Sequence, residues 1–168
     1  MSDPTGPDVA ARLEALEGRL RELEDEREIL RLITGYGPLV DGGAADDVAA
    51  LWTDDGIYDV DEVYLDGSAA IRQMVESSAH QGWISGGCAH FLGPARVTLD
   101  GNDAVAVCHS LMVVNTDEGF RVRRATAHHW QLRRTPAGWR TTVRTSRVLD
   151  GRPESPALLR AGARGERA

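Results

Sequence analysis

Cysteine is nearly missing from this chain, with only Cys88 and Cys108 among 168 residues. Two cysteines cannot build the disulfide framework of a small secreted scaffold, so both are read as reduced thiols, Cys108 inside a strand. Long apolar runs are missing as well: none approaches the roughly 18–20 residues that cross a bilayer. The opening Met-Ser-Asp-Pro-Thr-Gly-Pro-Asp is polar and carries no apolar stretch of a secretory signal. A cytoplasmic protein with no membrane partner is expected. Positive charge is in deficit, with a formal net charge of −7 at pH 7, which excludes a nucleic-acid backbone as the expected partner. There is no phosphate-binding glycine loop, no Gly-x-Ser-x-Gly elbow and no Cys-x-x-Cys pair.

What is present suits one ordinary globular domain: 42% hydrophobic and 27% charged residues. Asp and Glu crowd the first third and Arg dominates after residue 121, a skew read as solvated faces. Arginine far outnumbers lysine, and Ala and Gly are abundant, which suggests a GC-rich bacterial genome.

Residues 1–8 read as a disordered lead. From Val9 to Ile33 the pattern is helical and amphipathic, with Leu13, Leu16, Leu20 and Leu23 on a heptad seam that continues through Arg27 and Leu30. This extra N-terminal helix is expected to pack on its own domain or on a neighbouring subunit. Gly35, Gly37 and Pro38 predict a kink or break, and Asp41-Gly42-Gly43 an end with a left-handed glycine cap. A short helix over 45–52, a turn at 53–56, a strand or hairpin over 57–64 and a helix over 69–79 follow. Residues 80–87 read as a glycine-bearing loop.

The period then changes to two. Residues 89–99, 104–115, 120–134 and 139–149 are four strand-length runs joined by hairpin connectors. Gly93-Pro94 bends the first of them, because proline cannot donate to a ladder. Residues 151–168 read as a loose tail. The expected architecture is α+β: a single domain over 9–150 in which a curved antiparallel sheet wraps around N-terminal helices as a cone-shaped barrel.

Asp41 closes a helix and His90 opens a strand; brought together in a pocket they would form a carboxylate–imidazole pair fit for general acid/base work. Tyr36 offers a hydroxyl to a carbonyl or leaving group. Tyr58 shares a strand face with Val60, inward if that face is the core, and is a candidate substrate-binding residue lining the pocket. Asn115 shares parity with Val105, Val107, Leu111 and Val113, and is either a strand end facing water or a pocket hydrogen-bonder. His109, on the same parity, competes with His90. His128 shares a face with Trp130 and Leu132, whereas His129 faces the other way. Adjacent histidines on opposite strand faces cannot share one ion, so no metal is expected. Parity with Trp139 and Val143 turns Arg147 inward.

The order Tyr36-x4-Asp41, Ala49-Ala-Leu-Trp-Thr-Asp-Asp-Gly-Ile57, Gly67-Ser-Ala-Ala-Ile71, His90-Phe-Leu-Gly, a meander, and Ala137-Gly-Trp-Arg140 leading into Arg144 resembles the nuclear transport factor 2-like superfamily over about residues 25–150. The nearest likeness is to its SnoaL-like branch, which includes scytalone dehydratase, bile acid 7α-dehydratase and hexachlorocyclohexane dehydrochlorinase. The resemblance implies catalytic residues His90, Asp41 and Tyr36, with Asn115, His128 and Arg144 in the substrate pocket; it favours Arg144 over Arg147. It implies a cofactor-independent lyase or dehydratase acting on a small, cyclic, largely apolar metabolite, polyketide- or steroid-like. A polyketide cyclase or ketosteroid-type isomerase is the alternative chemistry, and a non-catalytic binding or oligomerisation module the alternative class. The open face of the meander points to a homo-oligomer, dimer or trimer.

Overall fold

Residues 6–61 and 63–168 are described by a computed structural model of the chain. Helix α1 (Gly6–Asp41) is rich in Leu, Glu, Arg and Ala, all strong helix formers. Residues 1–5 of the expected disordered lead lie outside the described residues, and Gly6–Asp8 already belong to the helix. The break expected at Pro38 does not occur: α1 carries Pro38 inside it. Pro38 and Thr34 both lie on the exposed face. The Thr34 carbonyl that proline leaves without its ladder partner is thus on the exposed face of the helix. The helix ends as the glycines require. Gly43 takes a left-handed φ of 69°, its N–H bonds the Val40 carbonyl, and the Ala44 N–H bonds that of Leu39.

After α2 (Ala45–Ala49), strand β1 (Trp52–Val60) and β2 (Val63–Asp66) form a hairpin. The turn expected at 53–56 is instead an irregularity inside β1, between Trp52 and Ile57. A Cβ on Gly56 would sit 2.8 Å from the Trp52 ring, so glycine lets the strand fold over the indole. Helix α3 (Ser68–Glu76) is followed by α4 (Ser78–Gly86), where a loop was expected. Ser77 is the missed signal: its extended backbone separates the helices and its hydroxyl accepts the His80 N–H.

The run over 89–99 is two strands, β3 (Cys88–Leu92) and β4 (Arg96–Asp100), split by Gly93-Pro94. Both pair with β5 (Asp103–Thr116), which continues through β6 (Gly119–Thr135) to β7 (Gly138–Val148). The sheet order is β2-β1-β7-β6-β5-β3, with β4 also on β5. Every pairing is antiparallel except β1 with β7. The curved sheet closes around the second half of α1. Ile29, Ile33, Tyr36 and Val40 pack there with Val48, Ile71 and Val75 against Ala106, Trp130, Leu132 and Trp139. No helix among the described residues is long and apolar enough to cross a membrane.

The expected loose tail is helix α5 (Glu154–Ala163). Its buried Ser155, Leu158 and Gly162, spaced three and four apart, face the outer side of β5 and β6. Gly162 approaches so closely that a Cβ there would meet Val107 at 2.5 Å, and the His129 ring bonds the Glu166 carbonyl at 2.8 Å. The tail lacked hydrophobic weight but not helical spacing. Because Leu158 is only 7% exposed, Leu158→Ala is expected to lower the unfolding free energy by about 2 kcal/mol, the low end for a buried leucine; urea denaturation reads this directly. A loose tail would show no change.

Candidate active site

Tyr36, Tyr58, His90, His128 and Arg144 all line one open cavity of about 310 Å³ between the sheet and the helices. Trp83 stands at its rim, 41% exposed. Trp52 belongs to the core and Phe91 is exposed, so neither fills the space.

Asp41, in the last turn of α1, reaches the start of β3. One carboxylate oxygen accepts the His90 ring Nδ1 at 2.5 Å and the other accepts the His90 backbone N–H at 2.6 Å. The Cys88 thiol donates to the first oxygen at 3.6 Å. A carboxylate only accepts, so Nδ1 carries a ring proton, and in the neutral imidazole the lone pair is then on Nε2. This double grip depends on how close α1 runs to β3: a Cβ on Gly37 would lie 2.2 Å from the His90 carbonyl oxygen. Gly37 is thus the residue that lets helix and strand meet.

Burial pushes the Asp41 carboxyl up, but the hydrogen bonds and charge of His90 outweigh it and hold the group below its ordinary range. The sign follows. A depressed folded pKa stabilises the protein above the unfolded carboxylate value, near about 4, and that contribution is lost as pH falls through the lower folded value. Asp41→Asn should therefore flatten the loss of stability below about pH 4, as followed by circular dichroism against pH. Burial, then the Asp41 charge, raises the Cys88 thiol to about 11, so it is no thiolate nucleophile at neutral pH.

Asp41, Cys88 and His90 form a group of three donor atoms within 4.8 Å of one another. Two of these atoms already face each other in the 2.5 Å hydrogen bond. An ion taking all three would have to part the pair.

The opposite wall is a polar chain on β5, β6 and β7. His128 lies between Ser110, whose Oγ is 2.7 Å from Nε2, and Ser146, whose Oγ is 2.6 Å from Nδ1. Arg144 points Nη2 and Nε at the same Nδ1, at 3.2 and 3.4 Å. A guanidinium only donates, so Nδ1 is the acceptor, Nε2 holds the proton, and Ser110 accepts it. The Ser110 hydroxyl hydrogen is then free for another acceptor. Burial first, and the Arg144 charge second, hold the His128 pKa well below its ordinary value; it stays neutral. Arg144 is itself 1% exposed. Its guanidinium carbon lies 4.0 Å from the Tyr36 ring centre, 4.5 Å from Tyr58 and 4.1 Å from Trp130, so aromatic faces take the place of a carboxylate partner. Burial raises the Tyr36 pKa far above its ordinary value, and the phenol stays protonated.

Three sequence expectations require correction. Asn115 is exposed at the end of β5 and does not line the cavity, and His109 is exposed on the outer face. Strand parity groups both with Val105 and Val107, which are buried on the outer side beneath α5; of the two readings of Asn115, the strand end facing water is the one observed. The inner face of β5 is the even one, as the direct pairing of Cys108 with His128 requires. Arg147 points outward and pairs with Asp59 at 2.6 Å. Parity failed there because the ladder between β6 and β7 slips between Gln131 and Leu132. Burial therefore moves from Trp139 and Thr141 to Arg144 and Ser146.

His80, Ser110 and Ser146 also line the cavity and were not singled out from sequence. The His80 ring Nε2 donates to the Val40 carbonyl at 3.1 Å, and the ring stacks on His90 with centres 6.1 Å apart. Ser110 could have been found from the register that sets Cys108 opposite His128.

The SnoaL-like domain matches residues 21–145 of this chain. Among solved structures, an NTF2-like protein with a cystatin-like fold from Novosphingobium aromaticivorans is 44% identical, covering 88% of this chain and 96% of its own at a TM-score of 0.86. A second protein of that bacterium, assigned as an aromatic ring hydroxylase, is 25% identical, covering 76% of this chain and 90% of its own at 0.61. A third, assigned as a scytalone dehydratase, is 16% identical, covering 76% and 85% at 0.60, a likeness of fold alone. No curated protein matches the sequence.

Proposed function

This chain belongs to the SnoaL-like domain family, and from that premise we propose that it is a cofactor-independent lyase of the dehydratase type, with His90 as general base and Asp41 as the group that orients it. The observation that carries this reading is the 2.5 Å contact between Asp41 and His90 at the wall of an open cavity. The substrate is a small cyclic hydroxy-carbonyl compound, polyketide- or steroid-like. A cavity of about 310 Å³ suits one such molecule, and its lining is largely apolar with a few convergent polar groups.

His90 Nε2 takes a proton from the carbon next to the carbonyl. The electron pair moves onto the carbonyl oxygen, and the Tyr36 and Ser110 hydroxyls donate to the developing oxyanion above the Arg144 charge. When the carbonyl re-forms, a double bond forms between the deprotonated carbon and the next one, whose C–O bond breaks, and the hydroxyl takes the proton from the imidazolium and leaves as water. The competing chemistry with Asp41 as base is less well supported. Both carboxylate oxygens are occupied by His90, and the group is held below the ordinary carboxylate range, which weakens it as a base.

The test is a panel of cyclic hydroxy-ketones and hydroxy-lactones incubated with the protein and read by mass spectrometry for loss of one water. Turnover by the wild type that His90→Ala removes is the expected result. Saturable binding of panel members without any chemical change would assign the cavity to a binding module instead.

A further inference from the structure

The first half of α1 holds an apolar stripe that nothing among the described residues covers. Val9, Leu13, Leu16, Leu20 and Leu23 are 55–63% exposed. The globular domain grips the helix farther along and from other faces, and Leu23 borders an open groove with Val97 and Leu99 of β4. Asp25 pairs with Arg134 and accepts the Trp139 indole N–H at 3.1 Å, Glu28 accepts the Trp139 backbone N–H at 2.8 Å, and burial begins at Ile29. The five residues follow alternating spacings of four and three. With Leu13 and Leu20 at heptad position a, Val9, Leu16 and Leu23 fall at d.

The flanking charges select the occupant. In that register Arg12, Arg19 and Glu26 occupy g positions, and Glu17, Glu24 and Arg31 occupy the e positions five residues on. A parallel, in-register pair of identical helices sets each g residue against the following e residue of its mate. The contacts are then Arg12 with Glu17, Arg19 with Glu24, and Glu26 with Arg31, all of opposite sign. An antiparallel pair centred on the stripe, Leu13 opposite Leu23 and Leu16 opposite Leu20, would set Arg19 against Arg19 and Glu17 against Glu17 of its mate, with only Arg12 and Glu26 of opposite sign. All six side chains are exposed, and none forms an ion pair among the described residues. Arg27, the next a residue, is a polar seam position of the kind that fixes register and favours two strands.

We propose that this helix face docks a second copy of the same chain as a parallel, in-register two-stranded coiled coil. The residues that grip each domain, Asp25, Glu28 and Ile29, fall at heptad positions f, b and c, off the seam.

Sedimentation of the full chain tests this. The wild type is expected to show a concentration-dependent dimer of twice 18.2 kDa. Leu16→Asn with Leu20→Asn should be monomeric at the same concentration, with the near-ultraviolet spectrum of the domain unchanged. Arg12→Glu with Arg19→Glu, and separately Glu17→Arg with Glu24→Arg, should each weaken self-association by about tenfold or more through like-charge contacts. Mixing the two variants should restore a dimer of one copy of each. Val9→Cys reports direction: oxidation should cross-link it far beyond the wild-type background, because only parallel helices bring the two ends together. A wild type that stays monomeric to about 1 mM, roughly 4 kcal/mol of association, overturns the proposal. So does a dimer indifferent to the leucine changes, or a Val9→Cys protein that does not cross-link.

Discussion

Replacing His90 with alanine is expected to lower turnover by about 10²–10⁴-fold, the contribution of a positioned general base. Substrate binding should change little, because most of the apolar wall and the Ser110–His128–Arg144 chain lie on other elements. Asp41→Asn should cost nearly as much for a different reason. The wild-type carboxylate accepts both the ring and the backbone N–H of His90. An asparagine has one accepting oxygen, which the backbone N–H claims, and its amide N–H₂ then faces the ring. That contact favours the tautomer with the proton on Nε2, where the lone pair is needed. Steady-state rates on any substrate found in the hydroxy-carbonyl panel give the comparison, and nitrogen-resolved NMR of the imidazole would display the tautomer change itself.

The second large effect is expected at a residue with no side chain. Gly37→Ala places a methyl group 2.2 Å from the His90 carbonyl oxygen. Both neighbours are backbone, one in a helix and one in a strand, so neither can rotate away. The helix and β3 must separate, and the unfolding free energy should fall by about 3 kcal/mol, the upper end for overpacking. The Asp41–His90 contact spans the same gap, so activity should fall with it. Gly35→Ala supplies the control. No atom lies within 4 Å of its added Cβ, and a helical alanine should raise stability by about 0.5–1 kcal/mol. Opposite signs two residues apart, read by chemical denaturation, isolate the close approach from helix propensity.

Helix and strand identities were legible wherever periodicity was long. The heptad of α1, the glycine end at Gly43 and the meander from β5 to β7 all stand where their patterns put them. Tyr36, Asp41, Tyr58, His90, His128 and Arg144 were also placed at one site, though by the order of motifs more than by the chemistry of any single residue. The failures on β5 have a shared cause, which is that strand parity tells two faces apart but not which is inside. Val105 and Val107 are apolar because α5 covers them, and a helix carrying Ser155, Leu158 and Gly162 on its buried face gives little hydrophobic signal. That face makes Asn115 and His109 pocket candidates by parity and hides Ser110. On β7 a slipped ladder exchanged the roles of Arg144 and Arg147, and no residue type marks that slip.

The central claim, that Asp41-held His90 presents an unprotonated Nε2 to the cavity, is tested most directly by deuterium uptake. A cyclic hydroxy-ketone substrate or a ketone analogue lacking the leaving hydroxyl, incubated in D₂O, should exchange the proton next to its carbonyl in the presence of the wild type. Asp41→Asn should slow that exchange, and His90→Ala should reduce it to the uncatalysed rate. Exchange at the wild-type rate in the His90→Ala protein would contradict the account and move the base elsewhere in the cavity.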